Sequence, residues 1–196
     1  VNVNAGRWSF HRVFYIRCCE VCAMAIENKP QGKIDGPGEI VEIDESLFSK
    51  RKNHVGRVLP EQWIFGGICR ETKESFLLKV SDRKTGILLT AIKNNIQEGT
   101  TIYSDCWRAY NTELLKSSGF HHYTVNHTYN FVDPTAGAHT QTIERLWGSA
   151  KWRNKNQRGT ARHHLDSYLT EFVWRQNLDN DPPFNKILMN IKTCFP

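Results

Sequence analysis

The sequence predicts an α/β fold, a mixed five-stranded sheet with flanking helices, from three observations. Residues 40–47, 63–69 and 75–80 are successive runs rich in β-branched and aromatic residues. The last two are joined by the polar Arg70-Glu71-Thr72-Lys73-Glu74, the pattern of an antiparallel hairpin. A helix-period segment then leads to Thr101-Ile102-Tyr103-Ser104-Asp105. A helix between two strands makes a parallel crossover, which returns this fourth strand beside the first. Third, Asp44 lies in the first of these strands and Asp105 closes the fourth. In an open α/β sheet the functional crevice lies beyond the carboxyl ends of such strands.

Within Ile40-Val41-Glu42-Ile43-Asp44-Glu45-Ser46-Leu47, side chains alternate across the strand. Val41 and Ile43 therefore share one face and Glu42 and Asp44 the other. Asp82 is the expected cap of a helix running to about Asn95, with Ile87, Leu88, Ala91 and Ile92 on one side. Trp107 to Ser117 reads as a short helix closed by Gly119, and Phe120 to Val125 as the fifth strand. Thr140 is the expected N-cap of the next helix. Ile143, Leu146, Trp147 and Ala150 line one face of that helix, and Glu144 falls in its first turn, near the crevice. Leu165, Tyr168, Leu169, Phe172 and Val173 form the stripe of a core helix. Asp181-Pro182-Pro183 opens a last helix expected to turn Phe184, Ile187, Leu188 and Ile191 inward. Upstream, Trp8 to Glu27 predicts a helix, with Val13, Ile16, Val21 and Met24 at near-helical spacing. The turn-rich segment from Asn28 to Gly38 predicts a boundary. Residues 1–37 are thus an N-terminal helix and linker, and residues 38–196 the main domain.

The net charge of +6 and pI near 9.0 favour a polyanionic partner, and 39% hydrophobic content excludes general disorder. No apolar run is long enough to cross a bilayer, and the start lacks a basic segment followed by an apolar one. The expectation is an intracellular protein with no membrane partner. A chain opening on Val1 rather than Met is expected to be a fragment. The six cysteines are too scattered for a disulfide framework and are expected as reduced thiols. Cys19 and Cys22 have metal-ligand spacing, but no second such pair follows, so packing is their expected role. Two basic tracts suit contact with nucleic acid. One holds Lys50, Arg51, Lys52 and Arg57; the other holds Lys151, Arg153, Lys155 and Arg158 around an aromatic residue.

Asp44, Asp105 and Glu144 converge in this reading from two strands and a helix start. At ~4 Å and an effective dielectric of ~20, each like-charged pair costs of order 4 kcal/mol, so a cation is needed to offset them. Hard oxygen donors suit Mg²⁺ or Mn²⁺ rather than Zn²⁺. Two such ions about 3.5 to 4 Å apart favour in-line displacement at a phosphodiester. Glu42 and Glu45 flank Asp44 and are alternative ligands should the strand register differ by one. Asp133 beside Pro134 suits a turn, and His127 and His139 could orient water or phosphate or simply support the structure.

Several stretches resemble a transposase: Ile40 to Phe48, Trp63 to Lys73, Tyr103-Ser104-Asp105-Cys106-Trp107-Arg108-Ala109-Tyr110, Val125-Asn126-His127, and Phe131-Val132-Asp133-Pro134 through Lys151. The resemblance is to the Merlin type of DNA transposon and its bacterial insertion-sequence relatives. It covers roughly Gly38 to Asn177, and its most specific run is His139-Thr140-Gln141-Thr142-Ile143-Glu144-Arg145-Leu146-Trp147. It implies a ribonuclease-H-like fold and a DDE metal site in which Asp44, Asp105 and Glu144 are the three catalytic, metal-binding acids. It also implies a basic residue seven positions after the third acid, matched by Lys151, about 10 Å along the helix and suited to hold DNA. The implied activity is metal-dependent cleavage and joining of double-stranded DNA, transposon ends and target alike, by a homodimer or larger assembly. The implied location is nuclear in a eukaryote and cytoplasmic otherwise. Relatives carry an upstream region that binds terminal repeats, of which residues 1–37 would be a remnant. Two other readings are a ribonuclease-H-like nuclease or resolvase that cuts without joining, and a host-recruited DNA-binding protein without chemistry.

Overall fold

The computed structural model describes residues 3–28, 33–34, 36–48, 61–126, 139–156, 164–178 and 181–195, excepting the side chains of 3–12, 153 and 154. The chain divides into two compact units, Val1–Pro30 with Thr160–Pro196, and Gln31–Gly159.

The larger unit holds one five-stranded sheet made of β1 (Ile40–Leu47), β2 (Trp63–Cys69), β3 (Ser75–Val80), β4 (Thr101–Asp105) and β5 (His121–Val125), in the order β3-β2-β1-β4-β5. β1, β2 and β3 pair antiparallel, whereas β4 joins β1 in parallel and β5 joins β4 in parallel. This is the mixed sheet expected from the element order, with β1 at its centre. Helix α2 (Thr85–Asn95) makes the crossover between β3 and β4, and α3 (Thr112–Ser117) the one between β4 and β5. Val41 and Ile43 of β1 are wholly buried in a core shared with Phe65, Leu88, Ile92, Ile96, Ile102, Leu115 and Phe120. Helix α4 (Gln141–Asn156) contacts β1 and β2. Its buried residues Ile143, Leu146, Trp147 and Ala150 are those the 3.6-residue period predicts.

Two helix starts differ from expectation, and both differences trace to side chains that bind the backbone locally. Asp82 accepts from Lys84 N at 2.8 Å, a turn that delays α2, so Lys84 rather than Asp82 occupies the N-cap. Residues 107–110 form a turn closed by Tyr110 N to Trp107 O at 3.0 Å. α3 begins only where Asn111 caps Glu113 N and Leu114 N, both at 3.0 Å.

The smaller unit consists of α1 (Val3–Glu27), α5 (Leu165–Gln176) and α6 (Pro183–Cys194), with α1 against both others. α5 buries Leu165, Tyr168, Leu169 and Val173 as its stripe predicts, with Phe172 only half-buried. Its Glu171 is buried because Tyr15 Oη donates to it at 2.6 Å and Arg175 Nε at 2.9 Å. The inward stripe expected of α6 is not found: Phe184 is 71% exposed, Leu188 and Ile191 are exposed, Ile187 is half-buried, and no residue of the helix is buried. A periodic apolar stripe reports that a face is amphipathic, but not that a neighbour covers it. All six cysteines are free thiols.

Candidate active site

The polar face of β1 and the buried face of α4 meet rung by rung. Two residues of a strand rise about 6.6 Å, close to the rise of about four helical residues, so a helix lying along a strand can match alternate positions. At the first rung Glu42 Oε2 accepts from Thr142 N at 2.8 Å and Ile143 N at 3.0 Å, and its Oε1 from Arg70 Nε at 2.6 Å. At the second, Trp147 Nε1 donates to Asp44 Oδ2 at 2.9 Å. At the third, Lys151 Nζ donates to Ser46 Oγ and lies over the Phe48 ring. This face of β1 is therefore closed: Glu42 is fully buried and binds the start of α4. Arg70 is held in turn by His139 O at 2.5 Å and the Tyr103 ring. His139 lies 3.4 Å from Glu42, but burial, with help from Arg70 and Arg145, lowers its pKa, so the two do not form an ion pair at neutral pH.

The same face carries Asp44 and Asp105, and α4 above it carries Glu144. β1 and β4 pair Glu42 with Tyr103, and carried two residues further this register sets Asp105 level with Asp44 on the neighbouring strand. Parallel neighbours lie about 4.8 Å apart. Asp44 is pushed up to about 6, first by burial and then by the charges of Asp105 and Glu144, against the lowering bonds from the Glu45 backbone and Trp147. Glu144 lies one turn before Trp147 on an exposed part of α4, so the charges of the other two acids both act at Asp44. Glu45 faces the opposite side of β1, where burial raises it to about 7, as do the charges of Asp44 and Asp105. Its Oε1 and the hydroxyl of Tyr110 are both buried, close enough to interact yet out of hydrogen-bonding alignment.

A buried chain of hydrogen bonds fixes the end of β4. Ser104 Oγ donates to Asp105 O at 2.8 Å and so accepts from His122 Nε2 at 2.9 Å, which leaves His122 Nδ1 to accept from Thr112 Oγ1 at 2.9 Å. The imidazole is thereby neutral, and burial holds it at about 4. Asp105 Oδ1 itself accepts from Trp107 N at 3.0 Å, which ties the carboxylate to the following turn.

Asp44 and Asp105 thus share one face of the sheet, and Glu144, on α4, adds a smaller charge effect at Asp44. Among the described residues, however, no three side chains of metal-ligating type meet in a formed ligand set. The donors suit a hard divalent cation in kind: they are carboxylates, one of them raised by burial and further by its neighbours' charge, and a cation would relieve both. Lys50, Arg51, Lys52, Arg57, Arg158, His127 and Asp133 lie outside the described residues, as does the side chain of Arg153. Lys151 is half-buried against Ser46 and Phe48, and Lys155 is exposed.

Sequence reasoning missed Trp147, read only as a core residue, as the partner of Asp44. A signal was present in Gly66-Gly67, since glycine inside a strand often marks close approach. Gly66 pairs with Asp44, and a Cβ there would come within 2.8 Å of Trp147 Cη2 and 2.7 Å of Leu77 Cδ2. Gly66→Ala is expected to cost about 1–3 kcal/mol by displacing the indole, with a matching loss of Trp147 fluorescence burial. Unchanged urea unfolding and emission would mean that the indole has other room.

The larger part of the chain, residues 34–177, matches the family model described as the ISXO2-like transposase domain. No curated protein matches. Among solved structures, the catalytic core domain of BIV integrase is 13% identical, with a TM-score of 0.50, covering 80% of this chain and 98% of its own. The HTLV-2 integrase catalytic core domain in complex with magnesium (dimeric form) is 16% identical, with a TM-score of 0.49, covering 78% and 94%. The BIV likeness and the 3-2-1-4-5 mixed sheet make the fold ribonuclease-H-like. With a matched span that begins before β1 and ends after α5, the chain belongs to the ISXO2-like transposase domain family.

Proposed function

We propose that this protein is a DDE transposase of the Merlin type that cuts DNA and joins the cut end to a target, with Asp44, Asp105 and Glu144 as its metal-binding acids. The observation that carries the reading is the register that sets Asp105 level with Asp44 on the neighbouring strand, with α4, the helix that bears Glu144, packed on β1, inside a span that matches the transposase family model. Bound by these acids, one or two Mg²⁺ or Mn²⁺ ions would supply charge for the leaving oxygen and make water a better nucleophile. The chain's own part is positional. Trp147 orients Asp44, the Ser104–His122–Thr112 chain fixes the backbone of Asp105, and Glu42 holds the start of the helix that bears Glu144. Hydrolysis of one strand would expose a 3′-OH, which would then attack target DNA.

Residues 38–196 would form the catalytic part and residues 1–37 the remnant of a region that binds transposon ends. Lys50, Arg51, Lys52, Arg57, Lys151, Arg153, Lys155 and Arg158 would contact double-stranded DNA, in keeping with the net charge of +6. Joining two ends requires a dimer or larger assembly, working in the nucleus of a eukaryote or in the cytoplasm otherwise. The test is a strand-transfer assay with pre-cut ends in Mg²⁺ or Mn²⁺. Joined product is expected; cutting without joining would instead identify a nuclease or resolvase, and binding without either a DNA-binding protein.

A further inference from the structure

Arg83, in the loop before α2, is packed between two aromatic rings. Its guanidinium carbon lies 3.8 Å from the centroid of the Trp63 ring and 4.6 Å from that of Trp107. The Trp63 ring is itself held, its Nε1 donating to Glu61 at 2.9 Å, and the backbone at Trp107 is tied to Asp105 Oδ1 through Trp107 N. Among the described residues, Arg83 forms no ion pair with an acid, although its charge is felt at Glu45. A guanidinium packed on aromatic faces is held in orientation while its N–H edge stays available, the geometry that suits bidentate contact with phosphate. Trp107 is 40% exposed, so this arrangement opens to solvent directly after Asp105.

A DNA strand entering an acid cluster is repelled by it, and a cation at the edge of the sheet, here on the Glu45 side of β1 and beside Trp107, offsets part of that repulsion. Resting on the proposed function, we propose that Arg83, braced by Trp63 and Trp107, binds one backbone phosphate of the strand presented to Asp44 and Asp105 and so sets which bond is cut. The bracing matters because a loose cation would attract DNA without fixing its register. Lysine at this position keeps the charge but loses the planar fork.

The test has a binding arm and a cutting arm. In EDTA, affinity for a short fluorescein-labelled duplex is measured across a salt series. Arg83→Gln is expected to lower the slope of log affinity against log salt by about 0.9, the value of one phosphate contact, while Arg83→Lys keeps it. In Mn²⁺, with products mapped on a sequencing gel, Arg83→Lys and Trp107→Ala are expected to spread the cut over neighbouring bonds. An Arg83→Gln slope equal to wild type, with a lowered melting temperature, would overturn the proposal and leave Arg83 as the counter-charge of Glu45. A wild-type protein that binds but never cuts would overturn the proposed function alone, because the binding arm needs no cleavage.

Discussion

Asp44→Asn is expected to lower DNA cleavage by on the order of 10³-fold or more, while leaving the metal-free protein as stable as wild type or more so at pH 8. Asp44 is held near 6 in the fold against an ordinary value of 3.8. A carboxyl whose folded pKa is raised binds its proton more tightly in the folded state. Its contribution is fully present below about pH 4 and is lost as the pH climbs through about 6. The difference amounts to about 3 kcal/mol for a fully desolvated group, and less where the protein relaxes or water enters. Asparagine offers the same acceptor to Trp147 without the charge. In EDTA, therefore, the stability of wild type should fall between pH 4 and 7 more steeply than that of Asp44→Asn. Urea unfolding across this range is the measurement. A variant that unfolds well below wild type at pH 8 would make Asp44 a structural carboxylate, and one that still cuts DNA would remove it from the active site.

Glu42→Ala is expected to destabilise the larger unit by about 3–5 kcal/mol. The carboxylate is fully buried, and three donors converge on it: Arg70 Nε, Thr142 N and Ile143 N. Its loss would strand a mostly buried guanidinium and leave two amide groups at the start of α4 without their acceptor. Glu42→Gln keeps an acceptor for the helix but not the charge, and should cost about 1.5–3 kcal/mol. Because α4 also carries Trp147 and Glu144, cleavage should fall in step with the docking of the helix. Loss of less than about 1 kcal/mol on Glu42→Ala would mean that apolar packing alone seats α4.

The two acids on β1 illustrate how far local pattern reaches. Alternation put Glu42 and Asp44 on one face and Val41 and Ile43 on the other, and the structure keeps that division. What alternation could not say is that the acid face lies under a helix. Glu42 meets residues about a hundred positions away, and no periodicity within either segment encodes that meeting. The same holds for α6, whose stripe is real but uncovered, and for Arg83, whose two ring partners come from β2 and the turn after β4.

By itself, the sequence determined the succession of strands and helices, the antiparallel hairpin, the parallel return of β4 beside β1, and the shared face of Glu42 and Asp44. These follow from side-chain alternation, helical period and turn chemistry, each a property of a few neighbouring residues. Only the tertiary structure decided that Glu42 anchors α4, that the gap at Gly66 admits Trp147 to Asp44, and that a buried histidine chain secures Asp105. Those are matters of shape and charge fitted across the sheet, where the deciding partner is near in space and remote in the chain.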